Sequence, residues 1–457
     1  MKRFGTLTIW DEKCSYSVQD NDVYLIPIDD NLIKKFRKHY NDKNFLLVWE
    51  ECFETNYLYV KRIEYSIDGT IKLYPKYTIN KHSDTKINGF ELTGEIIDDF
   101  FNPVRYFYDK RNDKTINLVN YLYDSEVADN WKINVENKEI NIELIYGDLL
   151  NKGIFSDLML HPRLRIKFEQ TVDVEYIYKI YLIFVRFFKL ITYNKSIGNI
   201  NVNLFSEKNS YIGNMIDFTY TYQYIKEYRD LHYIVFKQYI QNYLQFASCN
   251  DNYSFNHFPV NQIRFFGRDY TQNDFINIFS AFEEECKMES EIYLNVDIKK
   301  IKKVKSDFLA FIDNYSKLNL ENEEIKFIED ARNRISQLGT QFGQKRKIIN
   351  AYNILSSILC NSIENIFYLP EFRLKGPISD DDIEEIALKL SSKRGMVAHE
   401  SNSNSFSDID AQKIRFLEII VYCQLLKRMG LKEDDVERVI GVIFSCNYIV
   451  FNELCNK

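Results

Sequence analysis

The chain lacks the signatures of several protein classes. Its 8 cysteines form no C-x-x-C pair, and no histidine stands at zinc-finger spacing from them, so neither a zinc module nor a disulfide framework is expected. Reduced, structural thiols in a cytoplasmic protein are the expectation, with no metal and no cofactor. The opening MKRFGTLTIWDEK has no apolar h-region, so no signal peptide is expected. The most apolar run, residues 176–191, is interrupted by Lys179, Arg186 and Lys189 and reads as a core helix, because a span needs about 18 or more uncharged residues. An excess of positive charge is also missing. A net charge of -7 excludes a globally basic nucleic-acid coat, so any RNA-binding surface must be a local patch. No internal repeat is visible.

What is present is a folded composition, 45% hydrophobic and 27% charged over 457 residues, long enough for two or three domains. Up to about residue 170 short alternating runs recur: FGTLTIW, DVYLIPI, YLYVKRIEYSI, TIKLYPKYTI, GFELTGEI and the hairpin-like KINVENKEINIELIY. A helix over about 173–192 and further strands in NINVNLF and MIDFTYTYQY follow. From about 272 the period becomes 3.6, predicting helices at about 272–288, 296–318, 322–364, 380–399, 409–429 and 432–455. The expected fold is therefore α+β and multidomain: a β-rich region over 1–240, a connector over 241–271 and a helical bundle over 272–457.

Within the bundle, the stretch LKLSSKRGMVAHES is unusual. Ile383, Ile386, Ala387, Leu390 and Val397 form an apolar stripe, and Arg394 falls on it. An inward guanidinium must be paired, hydrogen-bonded or left at a cleft or interface where a ligand supplies the anion. His399 follows five residues later, about 140° around the helix and about 7.5 Å along it. Ser379 with Asp382 reads as a capping box, and SNSNSFSD as a loop, which sets both residues at the C-terminal end of one helix.

A helix ending in Arg-x4-His, then a polar loop and two more helices, resembles the HEPN superfamily. DFINIFSAFEEECKM (274–288), with Ala281-Phe282-Glu283, resembles its first helix, and IDAQKIRFLEIIVYCQLLKRMGL (409–431) the helix after the motif. In the first half, GTLTIW, GFELTGEI and RLRIKFEQTVDVEYIYKIYLIFVRFFKLI resemble the β-rich N-terminal domain of the ApeA family. The resemblance spans nearly the whole chain. It implies bacterial antiphage defence by abortive infection, with the helical part a metal-independent endoribonuclease on RNA, tRNA included. It implies a homodimer whose two Arg394 and two His399 line one cleft, Glu283 as a supporting residue, and a phage-protein trigger acting on the N-terminal domain. Gly395 departs from the family, which carries Asn or another polar residue after the arginine. The alternative is a non-catalytic HEPN module that binds nucleotide or protein.

The chemistry suits these residues. Imidazole serves as acid or base near neutral pH, and arginine grips phosphate with two prongs. One chain supplies one such histidine, so a second must come from elsewhere. Candidate RNA guides are Lys393, Arg332, Arg334, Lys345, Arg346 and Lys347, with a second basic run at Lys299, Lys300, Lys302, Lys303 and Lys305.

Overall fold

The structure is a computed structural model that describes residues 3–19, 22–39, 45–51, 54–82, 85–102, 126–147, 161–193, 197–218, 236–249, 270–293, 298–318, 321–337, 343–364, 379–399 and 406–444. The chain divides into two compact units, Met1–Cys249 and Asn250–Lys457. The first is β-rich and the second helical.

The first unit is built on β1 (Arg3–Ile9), β2 (Glu12–Gln19), β3 (Asp22–Pro27), α1 (Asp30–His39), β4 (Phe45–Glu51), β5 (Glu54–Tyr65), β6 (Ile71–His82), β7 (Ile87–Thr93) and α2 (Glu95–Phe100). It continues with β8 (Glu126–Val135), β9 (Lys138–Tyr146), β10 (Pro162–Val172), α3 (Val174–Thr192), β11 (Asn201–Phe205), β12 (Tyr211–Asp217) and α4 (Ile240–Ser248). All described strand pairings are antiparallel, in the order β1-β2-β3-β6-β12-β11-β7-β10-β9-β8, with β4 and β5 branching from β6. β6 makes this possible. One edge takes β5 from His82 to Ile71, while the other takes β3 at Ile71–Leu73 and β12 at Tyr77–Lys81.

Two hairpins use two-residue turns with both residues left-handed, Trp10–Asp11 and Glu136–Asn137, the turn whose twist matches paired strands. The run GFELTGEI does not stay extended. β7 stops at Thr93 because Gly94 adopts φ 152°, and α2 begins at Glu95. A Cβ at Gly94 would stand 2.6 Å from the Asn199 carbonyl oxygen, so the turn needs glycine.

α3 is the core helix. Asp173 caps it, accepting from the Tyr176 amide at 2.8 Å, and Tyr193 ends it in the left-handed region. Its charged residues Lys179, Arg186 and Lys189, with Leu182 and Thr192, are its half-buried positions, and every other residue but exposed Glu175 is buried. Spacing of three, four and three confines the charged residues and Leu182 to one narrow face. No helix among the described residues is long and apolar enough to cross a membrane. α4 lies in the stretch read as a connector, yet Tyr243 meets Phe187 of α3 at 6.3 Å and Gln245 bonds the backbone of Asn134. It is part of the first unit.

The second unit contains α5 (Gln272–Met288), α6 (Ser290–Tyr293), α7 (Ile298–Tyr315), α8 (Asn322–Gln337), α9 (Gln344–Glu364), α10 (Asp380–His399), α11 (Asp408–Arg428) and α12 (Glu433–Phe444). The single helix expected over 322–364 is two, α8 and α9, and the intervening segment carries Gly339 and Gly343, poor helix residues. Of the helix expected over 432–455, Glu433–Phe444 is described and the rest lies outside the described residues, as do residues 219–230 of the expected strand region. α11 is buried on nearly all sides from Gln412 to Leu426, apart from half-buried Arg415, and so forms the centre of the bundle. Cys14, Cys286 and Cys423 are buried free thiols, and burial pushes Cys14 up to about 11.

Candidate functional site

α10 starts with the capping box read from the sequence: the Ser379 hydroxyl accepts from the Asp382 amide at 3.3 Å, and the Ser379 amide donates to Asp382 Oδ2 at 2.9 Å. Ile383, Ile386, Ala387 and Leu390 are buried on its inner stripe. Arg394 comes one turn after Leu390 and is half-buried. Its guanidinium carbon lies 5.9 Å from the ring centroid of Phe279, a fully buried residue of α5. The Nε is buried and has no hydrogen-bond partner among the described residues. Among the described residues this guanidinium faces a ring rather than a carboxylate.

His399 is the last residue of α10. Its side chain lies outside the described residues, so the placement of the helix end and of Arg394 is given, and that of the imidazole is not. Between them, Gly395 faces open space: a Cβ built there meets nothing within 4 Å. The exposed Met396 shares that side of the helix.

Other cations gather near the same end of α10. Lys393 pairs with Asp410 at 2.6 Å and its ammonium lies 5.2 Å from the Phe406 ring centroid. Asp410 also closes the capping box of α11 with Ser407. Burial pushes the Asp410 carboxyl up, but the Lys393 and Ser407 hydrogen bonds and the Lys393 charge outweigh it and hold the group below its usual range. Lys413, 2% exposed on α11, was not singled out by sequence reasoning. Burial and then the Lys389 charge pull its ammonium below the usual lysine range. A lysine on the apolar stripe of α11 was the available signal, the same one that marks Arg394.

The remaining candidates lie elsewhere in the unit. Glu283 is half-buried and accepts a hydrogen bond from the Gln344 amide nitrogen, which ties α5 to α9. Lys345 pairs with Glu384 at 2.7 Å, and Glu384 precedes Arg394 by ten residues, about 15 Å of helix rise. Lys347 is buried at 2% exposure, whereas Arg346 is exposed. Arg332 grips Asp313 with two nitrogens at 2.6 and 3.5 Å, joining α8 to α7, and Arg334 is exposed on the same helix. Thus Lys393 and Arg394 come together at the end of α10, Lys345 pairs near its start, Glu283 stands one turn from Phe279 on α5, and Arg332 and Arg334 belong to the α7–α8 hairpin.

The neighbouring Glu285 is the inward acid of α5. It is fully buried and receives Arg428 Nε at 2.9 Å and Nη2 at 2.6 Å. A second buried acid, Glu418, accepts from the Tyr270 hydroxyl at 2.5 Å and lies 3.6 Å from Arg415. Among the described residues no cluster of three or more His, Cys, Asp or Glu side chains is arranged to hold a metal ion.

The first unit carries an open cleft of about 440 Å³ at the start of α3, lined by Leu46, Tyr57, Lys81, Lys86, Asp173 and Glu175 among others. Its mixed charge and apolar wall suit a peptide or small polar ligand. No family model matches this chain, and no curated protein or solved structure matches it.

Proposed function

We propose that the protein is an antiphage ribonuclease of the HEPN type, cutting an unpaired RNA segment such as a tRNA loop at a site shared by two copies of the chain. The observation that carries the reading is Arg394, half-buried over Phe279 with a buried Nε that no described residue satisfies, on the last turns of the helix that His399 ends. A phosphate would meet that need with charge-assisted hydrogen bonds. Lys393 and Lys413 add positive potential at the same helix end.

In the proposed reaction, His399 of one chain takes the proton from a 2'-hydroxyl, whose oxygen attacks the adjacent phosphorus. The P–O5' bond breaks, and His399 of the second chain gives its proton to the departing 5'-oxygen. The two Arg394 guanidinium groups neutralise the charge that builds on the phosphorane. The products are a 2',3'-cyclic phosphate and a 5'-hydroxyl, and no step calls on a metal. Open space at Gly395 leaves room for an RNA backbone or a second helix to come close. The first unit acts as the sensor of a phage protein, with the cleft at α3 as its binding surface.

The test is RNA end chemistry in EDTA for the wild type, Arg394→Ala and His399→Ala. Cyclic phosphate ends from the wild type, and their loss in both variants, are expected. Products with 5'-phosphate, or cleavage that survives both substitutions, would remove the nuclease reading, and intact RNA throughout would favour the non-catalytic alternative. Lys86→Glu in the cleft is expected to spare RNA cleavage and weaken the response to phage.

A further inference from the structure

We infer that the α7–α8 hairpin is a self-association surface, on which two copies of the chain pair antiparallel into a four-helix bundle. The argument starts from α7, which has two apolar stripes. Ile301, Leu309 and Ile312 are half-buried, as are Ile328, Ala331 and Ile335 of α8, and these form the seam inside the hairpin. A second stripe consists of Val304, Phe308, Phe311, Tyr315 and, just past the helix, Leu318, each 47–64% exposed. Its spacing of four, three, four and three is the heptad repeat of a helix that packs along its length against another helix. At 100° per residue the two stripes lie about 95° apart, the geometry of a bundle helix with two neighbours. α8 is one neighbour, and the second stripe has room for another.

The charges say which neighbour fits. The base of the hairpin, residues 298–306 and 331–337, contains five lysines, Arg332 and Arg334, and no carboxylate. Its tip half, residues 307–330, contains seven carboxylates against two lysines. The helices run antiparallel, as the Lys305 to Ser336 and Arg332 to Asp313 contacts require, so opposite charges collect at opposite ends of one rod. A second copy turned by a twofold axis through the middle of the seam sets base against tip at both ends and Phe311 beside its own counterpart. That is a self-complementary interface, closed at two chains. Parallel stacking would oppose like charges at both ends. The pairing is independent of the site proposed above and is read by mass rather than by RNA cleavage, so each reading can fail alone.

Sedimentation velocity of the full chain tests it. A dimer is expected that weakens as salt rises, and Phe308→Glu with Phe311→Glu is expected to give a folded monomer. Charge reversal tests it without touching the apolar seam. One chain carries Lys299→Glu, Lys300→Glu, Lys302→Glu and Lys303→Glu, and another Glu321→Lys, Glu323→Lys and Glu329→Lys. Each alone now has like charge at both ends and should self-associate about tenfold more weakly, and the mixture should pair again. A wild-type monomer at tens of micromolar, or homodimers unchanged by both charge sets, would overturn the inference. So would loss of RNA binding with unchanged mass, which would make the aromatic stripe and lysines a nucleic-acid surface instead.

Discussion

Two arginines at the ends of two helices face α5 in different ways. At the end of α11, Arg428 meets the buried carboxylate of Glu285 in a two-pronged ion pair. At the end of α10, Arg394 meets the ring of Phe279, and its Nε has no hydrogen-bond partner among the described residues. Two like side chains packed against the same helix, α5, thus have opposite standing. The first is complete within the chain and holds α11 to α5. The second is packed over a ring, and no described residue satisfies its Nε. A cation that is half-buried and already paired reads as structure, and one that is half-buried and lacks its anion reads as a site.

The contrast can be broken most directly by stability. Arg428→Ala leaves Glu285 buried without its cation and should cost about 3–5 kcal/mol in urea unfolding. Arg394→Ala removes a charge with no ion-pair partner among the described residues and should cost under about 1 kcal/mol. Equal losses for the two would mean that Arg394 is structural after all.

Activity sharpens the same contrast. If Arg394 binds the phosphorane, Arg394→Ala should slow RNA cleavage by about 10²–10³-fold, with Arg394→Lys recovering only part because the ammonium has no fork. Mixing Arg394→Ala chains with His399→Ala chains should leave the heterodimer nearly inactive, since one cleft then holds a single histidine and a single arginine. Recovery of about half the wild-type rate would show instead that each half-site joins one Arg394 to one His399.

A smaller effect is expected from the ion pair beside Arg394. Asp410→Asn should cost about 1 kcal/mol near neutral pH by removing the Lys393 ion pair while keeping most of the cap. Because the Asp410 carboxyl is held below its usual range, its contribution is complete above the unfolded value of about 3.9 and disappears as pH falls through the folded value. Stability against pH below about 4 should therefore fall less steeply in Asp410→Asn than in the wild type. The smallest change is Gly395→Ala, which meets no neighbour and should stabilise α10 by about 0.5–1 kcal/mol. If it lowers cleavage at the same time, the open space beside residue 395 belongs to the site.

Much of the architecture was legible because its signals are local. α5 and α10 begin and end where apolar period, and for α10 the Ser379–Asp382 capping box, place them, Gln272–Met288 and Asp380–His399. The β8–β9 hairpin follows from alternation around Glu136–Asn137. β2 and β4 were not read as strands. In EKCSYSVQ only Cys14 is buried, and β2 gains its order from β1 and β3 on either side. α1 was missed as well, since its ten residues carry five basic side chains and only three apolar ones.

The candidate site divides along the same line. The sequence by itself determined that an arginine sits on the inward stripe of α10 and that a histidine ends that helix, because side-chain direction follows from the 3.6-residue repeat. Only the tertiary structure decided what each charge meets: Glu285 and Arg428 are 143 residues apart, and Arg394 finds Phe279 across a gap of 115. It alone also placed Lys345 beside Glu384, some 15 Å of helix rise before Arg394, and showed the Val304–Leu318 stripe to be exposed. Periodicity is a property of one backbone segment and is written in consecutive residues. Pairing depends on which distant segment packing brings alongside, and no single segment carries that information.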